Sequence, residues 1–228
     1  MNCGRRRSHG FWRRNGLSLT LLGLFLLMFG GQMVTGWLDY SQELRDHGLA
    51  PPSLLQYTRS GHFLEATAEN WESEFLQMFI YVVFTVFLYQ RGSSESKPLD
   101  GPSPVDEDPR LHHDDPRAPA PVRRGGWQLR LYENSLSLAF LGLFIASLAL
   151  HMLGGHAAYN AERLLEGSAP ESLAQYLTGP RFWFESLQNW QSEFLAIASM
   201  VVLSVHLRQR GSPESKPVAA AHADTGSE

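Results

Sequence analysis

Apolar residues fall in four runs separated by polar stretches. From Asn15 to Leu38 no residue carries a charge, and from Asn134 to Ala161 none does except the two histidines His151 and His156. A helix rising 1.5 Å per residue needs about 20 apolar residues to cross about 30 Å of hydrocarbon, so both runs predict transmembrane helices. Phe75 to Gln90 and Phe194 to Leu207 are shorter apolar runs that predict a second and a fourth span. The spans are placed at about 17–38, 71–90, 136–157 and 190–207. The mean hydropathy of -0.20 reflects long polar connections rather than polar spans.

The chain repeats itself. Residues 15–98 align without a gap to residues 134–217, with 38 identities in 84 positions. Asn70-Trp-Glu-Ser-Glu-Phe-Leu76 matches Asn189-Trp-Gln-Ser-Glu-Phe-Leu195, and Gln90-Arg-Gly-Ser93 matches Gln209-Arg-Gly-Ser212. A fixed period of this length signals duplication of a supersecondary unit. The expected fold class is therefore all-α: an integral membrane four-helix bundle built from a tandem parallel repeat of a two-helix unit. An even number of crossings per unit puts both units in the same orientation.

This divides the chain into a basic N-terminus (1–14), unit 1 (15–98), a linker (99–126), unit 2 (127–217) and a tail (218–228). Linker and tail, rich in Pro, Asp, Arg and His, hold too little apolar surface to fold and are expected to be disordered. Charge sets the orientation. N-terminus, linker region and C-terminal segment carry 15 of the 19 Lys and Arg residues, leaving Arg45, Arg59, Arg163 and Arg181 in the outer loops. Positive segments stay inside, so both termini are expected in the cytoplasm. Trp12 and Trp127 then mark the inner interface, and Trp37, Trp71, Trp183 and Trp190 the outer one. The Arg-rich start imitates a signal peptide, but recurrence of the pattern in mid-chain argues for a retained span.

Gly16, Gly23 and Gly30 recur every seven residues, and Ser135, Gly142 and Ala149 are their counterparts. Small residues on one face let helix backbones approach closely, so the first and third spans are expected to pack through these seams. In the outer loops Pro51–Tyr57 and Pro170–Tyr176 predict short helices. Ser168-Ala-Pro-Glu171 has the form of a capping box, Gly61 and Gly179 are read as their ends, and Phe63 and Phe182 as the start of helical extensions into the second and fourth spans.

The fourth span has only 14 residues between Glu193 and Arg208, and the second has 16 between Glu74 and Arg91. Glu74 and Glu193 are thus drawn to the outer edge of the hydrocarbon, where an acid is costly and points to function. Asn70 and Asn189 lie four residues earlier on the same helical face, and Gln77, Tyr81 and Thr85 continue that face inward. Two readings compete: a proton or cation path using Glu74 and Glu193, or side chains that tie down the outer loops through backbone N–H groups, Arg59 and Arg181. Gln32 and its counterpart His151 are candidates for interhelical hydrogen bonds.

No spacing supports catalysis: there is no Cys-x-x-Cys, zincin histidine pair, phosphate-binding glycine loop or nucleophile elbow. No enzyme, cofactor or metal is expected. His112, His113, Asp114 and Asp115 offer metal-ligand chemistry without fixed geometry, His156 and His206 sit at span ends, and the single cysteine, Cys3, cannot form an intramolecular disulfide. The arginine clusters suit anionic lipid headgroups at the cytoplasmic face rather than nucleic acid. Oligomeric state is left open.

The segments Glu69-Asn-Trp-Glu-Ser-Glu-Phe-Leu-Gln-Met78, Asn15-Gly-Leu-Ser-Leu19, Gly36-Trp37, Ser60-Gly-His-Phe63 and Gln90-Arg-Gly-Ser93 resemble a bacterial family of uncharacterised membrane proteins classed under a domain of unknown function. The resemblance implies a bacterial, multi-pass plasma-membrane protein. The functional expectation is a non-enzymatic structural or interaction component of the membrane, with the lipid bilayer as partner; the alternative is a small transporter or channel for protons or monovalent cations.

Overall fold

The computed structural model describes residues 10–226, and among them no strand occurs. Cys3 and Arg5 to Arg7 lie outside the described residues. Two long helices dominate: α1 (Phe11–Asp46) and α6 (Ser135–Leu165) are long and apolar enough to cross a membrane. Within their most apolar windows 0% of α1 and 11% of α6 is buried, so neither is enclosed as a soluble core helix would be. The remaining long helices are α3 (Gly61–Phe87) and α8 (Pro180–His206). Short helices α2 (Leu54–Tyr57) and α7 (Leu173–Thr178) precede them.

α3 is the hub, packing most extensively on α6, then on α8, and only lightly on α1. Helices α3 and α6 approach most closely at two glycines. A Cβ on Gly154 would stand 2.8 Å from Leu64 Cβ, and one on Gly61 would stand 2.5 Å from the Ala158 nitrogen. The seam expected from sequence does not form. Nothing lies within 4 Å of a Cβ built at Gly16, Gly23, Gly30 or Gly142, and Ser135 and Ala149 are exposed. The buried face of α6 is instead Ser147, His151, Gly154 and Gly155, a stripe at helical spacing. Helix α1 docks through aromatic rings: Phe29 lies 5.9 Å from both Phe63 and Trp71, and Phe25 lies 6.3 Å from Trp71. Phe25 is about 200° round the helix from Gly23, which leaves the glycine row facing away.

The outer loops fold alike. Ser53 and Ser172 each accept from the backbone N–H three residues on, while Gln56 and Gln175 reach back to the capping residue's N–H. The box expected at Ser168 to Glu171 does not form, because Glu171 is engaged elsewhere. Its carboxylate pairs with Arg163 at 3.0 Å and its backbone N–H donates to Asn160. Tyr57 and Tyr176 then lay their hydroxyls against Gly36 and Gly155, where any side chain would collide. Gly61 opens α3 rather than ending α2, since only a residue without a side chain fits against α6 there.

At the opposite end the two Gln-Arg-Gly-Ser segments form matching turns, with the backbone N–H of Gln90 donating to Ser96 Oγ at 3.0 Å and that of Gln209 to Ser215 Oγ at 2.9 Å. Ser93 Oγ meets Ser204 Oγ at 2.8 Å. Linker and tail carry more structure than their composition predicts. Residues 99–126 include turns at Pro104–Asp106 and Pro109–His112 and the helix α4 (Ala120–Arg124), each with proline in its first turn; α5 (Gly126–Glu133) follows. The tail folds back because the buried Lys216 ammonium donates to the carbonyls of Ala221, His222 and Asp224.

Candidate functional site

Glu65, Glu69 and Glu72 stand on α3 at spacings of four and three, which place them on one helical face. That face meets His151 on α6, and Glu185, Asn189 and Trp190 on α8. His151 Nδ1 lies 2.7 Å from Glu72 Oε2, and both side chains are wholly buried. The other Glu72 oxygen accepts from Trp190 Nε1 at 3.0 Å. On the far side of the ring, His151 Nε2 stands 3.7 Å from Glu185 Oε2, beyond hydrogen-bond reach. The carboxylate of Glu185 in turn accepts from the Tyr176 hydroxyl at 3.2 Å and from the Arg181 guanidinium.

Four carboxyl groups share this space with one histidine and one arginine, and their proton affinities diverge. Burial, reinforced by the neighbouring charges of Glu185 and Glu69, pushes Glu65 up to about 8. Burial also raises Glu69. At Glu185 burial acts upward too, but His151, Arg181 and Tyr176 outweigh it and hold the carboxyl below the usual range. A cluster whose members are driven apart in this way can hold a proton or a cation among fixed charges.

The residues singled out from sequence distribute differently. Asn70, Glu74 and Glu193 line one cavity of about 640 Å³, with Phe25, Trp71 and Leu150 among its other walls. Among the described residues neither glutamate side chain bonds a loop backbone or an arginine; Arg181 pairs with Glu162 and Glu185 instead. The Asn70 and Asn189 amides bond carbonyls of their own helices, Ala66 and Glu185. Gln32 donates to the Ala66 carbonyl at 3.3 Å and to Thr67 Oγ1 at 3.4 Å, so both Gln32 and His151 bond α3. Along the inward stripe Gln77 donates to the Glu193 carbonyl at 2.7 Å and Tyr81 to Glu95 at 2.7 Å. His112 and His113 pair with the exposed acids Glu107 and Asp114.

Glu65, Glu69, Glu72 and Glu185 are absent from the sequence-derived site for one reason. Offset by 119 positions they align with Phe184, Gln188, Gln191 and Ala66, so identities between the two aligned segments pass over them. The signal that could find them is the spacing of three acids on one face immediately before an apolar run.

Residues 8–227 match the family described as Domain of unknown function (DUF6766), and the chain belongs to that family. No curated protein and no solved structure matches it.

Proposed function

We propose that this DUF6766 protein is a four-span integral membrane protein of the bacterial plasma membrane, with both termini in the cytoplasm, that acts as a structural or interaction component rather than an enzyme. The observation that carries the reading is an inverted partition of side chains. Among the described residues Glu72, Ser73, Gln77, Ser147, His151 and Ser186 are buried, while Leu17, Leu21, Leu26, Leu27, Leu138 and Ile145 are exposed. Water would drive those two sets the other way, whereas hydrocarbon gathers polar groups between helices and leaves leucines outside. Exposed Trp12 and Trp127 suit the inner headgroup level. The alignment of units 15–98 and 134–217 supports descent from one two-helix unit, and the paired capping boxes, tyrosine–glycine contacts and Gln-Arg-Gly-Ser turns support the same reading.

Single cysteines placed in a Cys3→Ser background at Ser53, Ser103, Ser168 and Ser212 test the topology through an impermeant maleimide. Positions 53 and 168 should label from outside in intact cells, and positions 103 and 212 only in inverted vesicles. Labelling of position 103 from outside would remove the second crossing and with it the four-span reading.

The cavity lined by Asn70, Glu74 and Glu193 favours a second reading, a path for protons or monovalent cations. Flux into proteoliposomes that is abolished in a normally assembled Glu74→Gln/Glu193→Gln protein would establish transport. Absence of wild-type flux under both gradients would leave the structural role.

A further inference from the structure

The carboxylates around His151, of which Glu72 is buried and Glu69 and Glu185 half-buried, leave one polar atom without a partner. His151 Nε2 is fully enclosed, makes no hydrogen bond, and faces Glu69 and Glu185. Nδ1, by contrast, is fixed by Glu72, which in turn is held by Trp190. A carboxylate bonded to one ring nitrogen sets the tautomer and raises the basicity of the other, the arrangement found behind metal-ligating histidines. We propose that His151 Nε2, Glu69 and Glu185 bind a divalent first-row transition-metal ion such as Zn2+, with Glu72 as the residue that orients the ring.

Geometry and charge both support the assignment. The three donor atoms lie within 4.8 Å of one another. Donors bound about 2.0–2.2 Å from a shared ion stand about 3.4 Å apart in a tetrahedral site, close to the 3.7 Å between Nε2 and Glu185 Oε2. An imidazole nitrogen with two carboxylates suits zinc and its neighbours rather than Mg2+ or Ca2+, which take oxygen shells. With His151 neutral, as a ligating imidazole is, the carboxylates of Glu69, Glu72 and Glu185 outnumber the Arg181 guanidinium by two, and charge of one sign in a largely enclosed cluster is expensive unless compensated. A divalent cation supplies the missing positive charge. Glu74 and Glu193 belong to a different cavity and contribute no ligand. All the donors lie on α3, α6 and α8, so the site does not depend on the number of membrane crossings.

The full chain, purified in detergent and stripped with chelator, is loaded with Zn2+ and desalted, and the metal is counted by mass spectrometry. Wild type should retain one ion per chain. Glu69→Gln and Glu185→Gln should bind at least tenfold more weakly, Glu72→Gln about 10- to 100-fold more weakly, and Glu74→Gln/Glu193→Gln as wild type. No retained ion in wild type, or undiminished binding in variants that elute as wild type does, would overturn the site. X-ray absorption of the Zn2+-loaded wild type is independent of variant folding: it should show one imidazole with oxygen donors, and a shell of several imidazoles or of sulfur would equally overturn it.

Discussion

His151 on α6 and Glu72 on α3 meet at 2.7 Å with both side chains out of contact with solvent, and Trp190 of α8 donates to the same carboxylate. Three helices are thereby joined at one acid. Removing one member strands the other: Glu72→Leu should destabilise the metal-free protein by about 3 kcal/mol, while Glu72→Leu/His151→Leu should recover part of that loss because no buried charge is left alone. Unfolding in detergent followed by circular dichroism measures the cycle. A loss in the double variant equal to the sum of those in Glu72→Leu and His151→Leu alone would mean that the pair contributes nothing beyond packing.

The glycine contacts separate two classes of position. Gly154→Val forces side-chain atoms into Leu64 and the α3 backbone and should cost about 1–3 kcal/mol or more. Gly23→Ala and Gly142→Ala meet open space and should change stability by no more than about 0.5 kcal/mol, or raise it slightly through helix propensity. The same melting experiment ranks them; a larger loss at Gly23 than at Gly154 would restore the seam read from sequence.

Glu65 makes the metal-free protein pH-dependent. Its carboxyl, ordinarily near 4.5, rises to about 8 in the folded state, so folding favours the protonated form. Its stabilising contribution is complete below the ordinary value and is lost as pH rises through about 8. The melting temperature should fall by several degrees between pH 5 and pH 8.5 in the presence of chelator. Glu65→Gln should flatten that fall; an unchanged profile in the variant would assign the dependence to another group.

Ser93 and Ser204 place their hydroxyls 2.8 Å apart at the end of the molecule where the two Gln-Arg-Gly-Ser turns lie. In the Cys3→Ser background, Ser93→Cys/Ser204→Cys should oxidise to a disulfide that keeps the two halves together after protease cuts the linker within residues 99–126. Fragments that separate without reductant would refute the contact.

Apolar spacing indicates the four long helical runs, and Phe63 and Phe182 the extensions of α3 and α8, whereas α1 and α6 run eight residues past the expected span ends at Leu38 and Ala157, to Asp46 and Leu165. The outer loops are legible too, since Ser-Leu-x-Gln recurs at Ser53 and Ser172 and carries its own capping chemistry. Glu171 shows the limit of local reading. A residue of the right type stands at the right offset from Ser168, yet Arg163 and Asn160 take its bonding groups, and only the turn that brings them together reveals this.

Sequence by itself determined the four long helical, apolar stretches, the alignment of residues 15–98 with 134–217 and the charge asymmetry, because hydrophobic period, residue identity and net charge are properties of the chain read in order. Tertiary structure decided which faces meet. Three small-residue positions on α6, at Ser147, Gly154 and Gly155, define its buried face, and the glycine row on α1 meets nothing. It also decided where the chemistry lies. Glu69, His151 and Glu185 are separated by 82 and 34 positions, and no spacing rule joins residues whose proximity depends on the packing of three helices.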